Sequence, residues 1–214
     1  MTKIVDITFD FETLSLASNA AVLQLAAVVF NRYAVDDQEL FPKAIAPFEA
    51  KVDIRSCVAD GFDFNPSTVK WWSEKPEDVK REVLTGDCYP LSEVMTNFID
   101  WLCEVKNFTE TDVLILWAQG SDFDVSILRT ILRRYDMEKV FPVHFHNCRD
   151  ARTFIAEIGD RYCQLYHDGL ADHKKVYDAM PPYPEQGNVH SATYDCRRTS
   201  WALWQCFSML PDAD

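Results

Sequence analysis

Ile4-Val5-Asp6-Ile7-Thr8-Phe9-Asp10-Phe11-Glu12-Thr13 is the stretch that decides the fold. It alternates and is rich in β-branched and aromatic types, which predicts a strand. Val22–Tyr33 reads as a second strand, nearly continuous in apolar residues and therefore central; 38–47 reads as a third, antiparallel across the turn at 34–37. Asn65-Pro66 offers a helix cap and a first-turn proline ahead of Val69, Trp71 and Trp72. Further helices are predicted over 77–84 and 92–105, a fourth strand over 112–118 and an amphipathic helix over 123–135. A fifth strand over 143–148, a helix from Asp150 and a closing helix over 190–209 complete the chain. Residues 160–188 are polar, contain proline and show no periodicity, so they read as an irregular insertion near the active site. Three strands followed by alternating helix and strand predict a mixed five-stranded α/β sheet flanked by helices, in a single domain spanning 1–214 with its core at about 4–208.

Composition narrows the function. Glycine is scarce, 6 in 214, and never clustered, so neither a P-loop nor a dinucleotide-binding fingerprint can be drawn. Thirty-four acids against 21 bases give a net charge of −13, which argues against non-specific duplex binding, because phosphate contact needs clustered Lys and Arg. An enzyme that holds one phosphate through metal ions stays open, since metals supply positive charge themselves. Seven cysteines without a C-x-x-C pair read as reduced thiols of a cytosolic protein. The longest apolar run, Ala20–Phe30, is interrupted by Gln24 and too short to span a bilayer. The N-terminus shows no signal-peptide core. A soluble, cytoplasmic protein with no membrane partner is expected.

Three acidic sites carry the chemistry. Asp10 and Glu12 leave the same face of the first strand, about 7 Å apart, which is costly unless something positive sits between them. Asp122 and Asp124 flank Phe123 at a strand-to-helix turn, where one acid would suffice as a cap. His190 and Asp195, at i and i+5, border one cleft if His190 lies in the first turn of the closing helix or just before it.

Together, in this order, these segments resemble the DnaQ-like 3′→5′ exonucleases of the RNase H-like superfamily. Asp10-Phe11-Glu12-Thr13 matches the first motif, Phe123-Asp124 the second, and His190-x4-Asp195 the third, which marks the DEDDh subgroup. Residues 11–13, Ser67–Trp72 and the closing helix are similar to the phage exonuclease A and mycobacterial exoribonuclease-like branch. The resemblance implies an RNase H-like sheet with a three-strand meander followed by parallel strands. It implies Asp10, Glu12, Asp124 and Asp195 as ligands of two divalent ions, Mg²⁺ or Mn²⁺, with Glu12 and His190 catalytic. His190, titrating near neutrality, would take the proton of a bound water, and attack on the terminal diester would release a nucleoside 5′-monophosphate. Thr13, Leu14, Phe123, Trp72 and Lys70 are the expected substrate contacts, with Arg149, Arg152, Arg197 or Arg198 as further bases near the cleft. The implied partners are single-stranded DNA or RNA 3′ ends, leaning to DNA, in a bacterial or phage-infected host cytoplasm; a homodimer is compatible. Leu14-Ser15 departs from the Thr-Gly of many members, and Asp122 rivals Asp124.

Other readings are weaker. A haloacid-dehalogenase motif would need Asp at position 12 and Thr at position 14, where Glu12 and Leu14 stand. An EF-hand starting at Asp122 would need Gly and Glu where Ile127 and Arg133 stand. His144-x-His146 would place two imidazoles on one strand face, but no matching ligands accompany them. Trp71 and Trp72 could stack on bases, one buried and one partly exposed. From another class, a non-catalytic RNase H-like module binding nucleic acid or a partner is the alternative, although such modules usually lose an acid or the His.

Overall fold

The computed structural model describes residues 3–166 (side chains to 161) and 180–210. The predicted first strand, β1 (Ile4–Thr13), is the middle of a five-stranded sheet. Its companions are β2 (Val22–Phe30), β3 (Phe48–Lys51), β4 (Val113–Ala118) and β5 (Cys148–Asp150), in the order β3-β2-β1-β4-β5. β1–β2 and β2–β3 are antiparallel, whereas β1–β4 and β4–β5 are parallel, so the mixed sheet is as expected. Every residue of β2 is buried, as its continuous apolar pattern requires.

The helices are α1 (Asp37–Leu40), α2 (Ile54–Ala59), α3 (Pro66–Ser73), α4 (Glu77–Leu84) and α5 (Leu91–Phe108), then α6 (Ser126–Arg134), α7 (Ala151–Tyr166) and α8 (Ala192–Ser208). Alternation along β1 sends Ile7, Phe9 and Phe11 into the larger core with Phe98 and Leu102 of α5 and Leu116 of β4. Ile115 and Trp117 of β4 build a second core with Ile155 of α7 and Leu203 of α8. The sheet is therefore covered on both faces, which is why β4 is apolar throughout and β2 is apolar but for Gln24.

The third and fifth strands lie elsewhere than predicted. Within 38–47 the Asp36 carboxylate accepts the amides of Gln38 and Glu39, at 3.0 and 3.2 Å, and this cap starts α1; the strand forms only at Phe48. Within 143–148 the chain makes a 3₁₀ turn at Phe145–Asn147, closed by the Asn147 amide on the His144 carbonyl at 2.8 Å. β5 is only the three residues that reach the end of β4. His144 and His146 are thus exposed on a turn rather than set on a strand face. α7 also runs on to Tyr166, because no glycine or proline interrupts 160–166 once the helix is nucleated. Of the segment read as irregular, 167–179 lies outside the described residues. Six cysteines are free thiols; the Cys163 side chain lies outside the described part.

One polar residue positions α8. Gln24, the interruption in the apolar run, is fully buried beside Glu12, and its side-chain oxygen accepts the amide of Ala192 at 3.1 Å. It satisfies one of the amides a helix start leaves open. Thr8 fixes the next turns, donating to the Cys196 carbonyl at 3.1 Å and sharing a hydrogen with the Ser200 hydroxyl at 2.8 Å.

Candidate active site

The acidic site forms where β1 outruns its parallel neighbour. The β1–β4 ladder ends at the Thr8–Trp117 pair, so beyond it the β1 amides on that edge have no strand partner. The Phe11 amide donates instead to Asp124 Oδ1, at 3.1 Å. Asp124 reaches this point because the chain leaving β4 coils into a π-helical turn at Ser121–Val125 ahead of α6. The Ser121 amide, in turn, donates to Asp150 at the end of β5, at 2.5 Å. Asp124 is 3 % exposed, whereas Asp122 points to solvent. Burial thus separates the two acids: Asp124 lies inside the acidic cluster and Asp122 outside it.

The third segment approaches from α8. Gly187 lies so close to the Tyr194 ring that a Cβ there would stand 2.2 Å from it, so only glycine lets the 184–190 loop fold against the helix. His190 then adopts a left-handed backbone, φ 74°. The geometry is held by its amide, which donates to Asp195 Oδ2 at 2.9 Å, while Arg198 donates to Asp195 Oδ1 at 3.0 Å. The imidazole stands edge-to-face against Trp71 of α3, ring centres 4.7 Å apart. Ligand atoms of Glu12, His190 and Asp195 all lie within 4.8 Å of one another. Hard carboxylate oxygens are the donors that Mg²⁺ or Mn²⁺ prefers, so Glu12 and Asp195 fit a divalent ion, with the His190 imidazole beside it.

Electrostatics mark the same residues. Burial, then the charges of Asp124, Glu12 and Asp195, holds the Asp10 carboxyl well above the usual range. Burial with Asp195 and Asp124 pushes Glu12 up to about 9, with Lys75 opposing. Asp124 is pushed up to about 7 by burial, against the Phe11 amide and the Arg152 charge. His190 is lowered, by burial first and then by Lys75. Crowded carboxylates of this kind wait for a cation.

Two cavities flank the acids. One of about 450 Å³ is lined by Phe11, Glu12, Thr13, Leu16, Ser67, Thr68, Trp71, Trp72 and Phe123. The other, about 220 Å³, is lined by Asp10, Gln119, Val189, His190, Asp195, Arg198 and Thr199. Of the expected substrate contacts, Thr13, Trp72 and Phe123 thus line the larger cavity. Trp72 is buried and its indole N–H donates to the Thr13 carbonyl at 2.8 Å, while Trp71 is 38 % exposed. Leu14 and Lys70 line neither cavity. Leu14 is buried, and its backbone bonds Ala21 and Asn65, fastening the cap of α3 to β1; Lys70 is exposed beside Glu74. Of the four arginines, Arg198 lines the smaller cavity and Arg152 reaches Asp124 by charge; Arg149 lies over Trp117 and Arg197 pairs with Glu185. Sequence reasoning missed Leu16, Lys75 and Gln24; only Gln24, a lone amide inside an apolar strand, left a readable signal.

Residues 5–206 match the model of the family described as the 3′-5′ exoribonuclease Rv2179c-like domain. The chain belongs to this family. A curated relative, the exodeoxyribonuclease of Enterobacteria phage T4, is 27 % identical over 199 residues, covering 81 % of this chain and 83 % of the relative. The solved structure of cell-death related nuclease 4 superposes with a TM-score of 0.63 at 16 % identity, over 98 % of this chain and 66 % of that one. The fold is RNase H-like α/β, and the family is one of 3′-5′ exonucleases. Among the described residues no helix is long and apolar enough to cross a membrane.

Proposed function

We propose that the chain is a metal-dependent 3′→5′ exonuclease of the DEDDh type, releasing nucleoside 5′-monophosphates from single-stranded ends or 3′ overhangs by a two-metal mechanism. The observation that carries this reading is the meeting of Glu12, His190 and Asp195 within 4.8 Å, with Asp10 and Asp124 in the same electrostatic cluster. Asp10, Glu12, Asp124 and Asp195 would hold the ions. Bound divalent ions supply neutralisation of the diester charge and a water of lowered pKa. His190, lowered below the ordinary imidazole value, is neutral at physiological pH and takes the proton of the attacking water. The hydrogen bond that its backbone N–H donates to Asp195 and the contact with the Trp71 ring hold the imidazole beside the acids. The larger cavity receives the terminal nucleoside against Leu16, Trp71 and Phe123, where stacking is sequence-tolerant. The family description names an exoribonuclease and the phage relative an exodeoxyribonuclease; the lean to DNA rests on the latter.

The test is a 5′-labelled single-stranded oligonucleotide, DNA and RNA side by side, with Mg²⁺ or Mn²⁺ and with chelator. Stepwise shortening from the 3′ end, only with metal, is the expected outcome. Tight binding without any product would move the chain to the non-catalytic class.

A further inference from the structure

Lys75 sits in the turn between α3 and α4, where its amide donates to the Trp72 carbonyl at 3.2 Å. Pro76 follows and restricts its backbone. The half-buried side chain lays its ammonium 3.4 Å from the centre of the Trp71 ring. That ring lines the larger cavity with Glu12 and meets His190 edge-to-face. The flanking lysines are neutralised, Lys70 by Glu74 at 3.8 Å and Lys80 by Glu77 at 2.5 Å; Lys75 enters no ion pair among the described residues. Arg198, the cation lining the smaller cavity, is already paired with Asp195. In a chain of net charge −13, an ammonium close enough for its charge to act on Glu12 and His190, yet in no direct ion pair among the described residues, is placed to receive an anion. The aromatic face holds it there without neutralising it, since a cation–π contact leaves the charge in place.

We propose that Lys75 is a substrate-contacting residue whose ammonium binds the terminal phosphodiester of the nucleic acid from the Glu12–His190 side of the cleft. The inference rests on the exonuclease reading for its substrate, but its test reads binding as well as turnover. The substitutions are Lys75→Met, which keeps the aliphatic stem, and Lys75→Arg, which keeps the charge; thermal melts identify any loss of fold, and Lys75→Gln, also neutral, carries the test if methionine unfolds the chain. Lys75→Met should lower kcat/KM about 10- to 100-fold, the range of one charge-assisted hydrogen bond, with the loss in KM; Lys75→Arg should recover most of it.

The decisive measurement is fluorescence anisotropy with 5′-labelled oligonucleotides whose last linkage is either a charged phosphorothioate or a neutral methylphosphonate. Wild type should prefer the charged linkage, and Lys75→Met should lose about tenfold of that preference, with Lys75→Arg keeping it. An unchanged preference, with or without a fall in kcat, overturns the proposal and makes Lys75 a support for Trp71 and His190 only. A changed preference in a protein that releases no mononucleotide would keep the phosphate contact and reject the exonuclease.

Discussion

Asp6 and Asp10 leave the same face of β1 four residues apart, yet their surroundings are opposite. Asp6, 3 % exposed, receives the Arg32 guanidinium on both oxygens and the Trp117 indole N–H at 2.7 Å. It is a buried charge with its partner built in. Asp10 has no ion pair among the described residues and faces three other carboxylates, whose fields add to burial in raising its pKa. One acid is balanced by the protein. The other has no counter-charge among the described residues, and the proposed metal-holding role of Asp10 rests on that contrast.

Substitutions should separate the two ends of β1 cleanly. The largest effect is expected from Asp10→Asn, which should abolish mononucleotide release while leaving the metal-free fold as stable as before or more so, because one of several crowded charges is gone. Loss of fold in this variant would make Asp10 structural like Asp6. Next comes His190→Ala, expected to slow turnover by about 10²–10⁴ with metal binding largely retained. Because the imidazole is lowered, the wild-type rate should rise with pH through a midpoint below 6.5; a near-wild-type rate in the variant at neutral pH would assign the base elsewhere. At the other end, Asp6→Asn should cost about 3–5 kcal/mol of stability, since it strands the Arg32 charge in the interior, while turnover per folded molecule stays unchanged.

Much of this contrast was legible in the sequence. The i, i+2 spacing of Asp10 and Glu12 on an alternating strand already placed both on one face, whereas Phe123-Asp124 and His190-x4-Asp195 stood out only through their match to the motifs of the family the chain resembles. What escaped depends on contacts across elements. Leu16 lines the larger cavity, and Lys75 lies over Trp71, where α3 is fastened to the end of β1 through Leu14 and Trp72. Asp6 gave no sign of its partner, because Arg32 lies past the end of the neighbouring antiparallel strand. β3 and β5 were misplaced for a local reason: a side-chain cap and a 3₁₀ turn claimed residues whose composition suits a strand.

A smaller effect follows from the raised carboxyls. Raised folded-state values mean the contribution to stability is full below the ordinary carboxylate range near 4 and is lost as pH climbs through about 7 for Asp124 and about 9 for Glu12. The melting temperature of chelator-treated protein should therefore fall between about pH 5 and pH 9, and Glu12→Gln should flatten the upper part of that fall. A profile already flat in the wild type would contradict the crowding.

The central claim is that the Asp10 end of β1 is an acidic cluster completed by divalent cations. Calorimetric titration of Mn²⁺ into the chelator-treated protein, repeated in buffers of different ionisation enthalpy, counts the protons displaced. The account predicts binding accompanied by proton release near pH 7, with the binding strongly weakened in Asp10→Asn and unchanged in Asp6→Asn. Binding without proton release, or equal binding by the Asp10 variant, would contradict it.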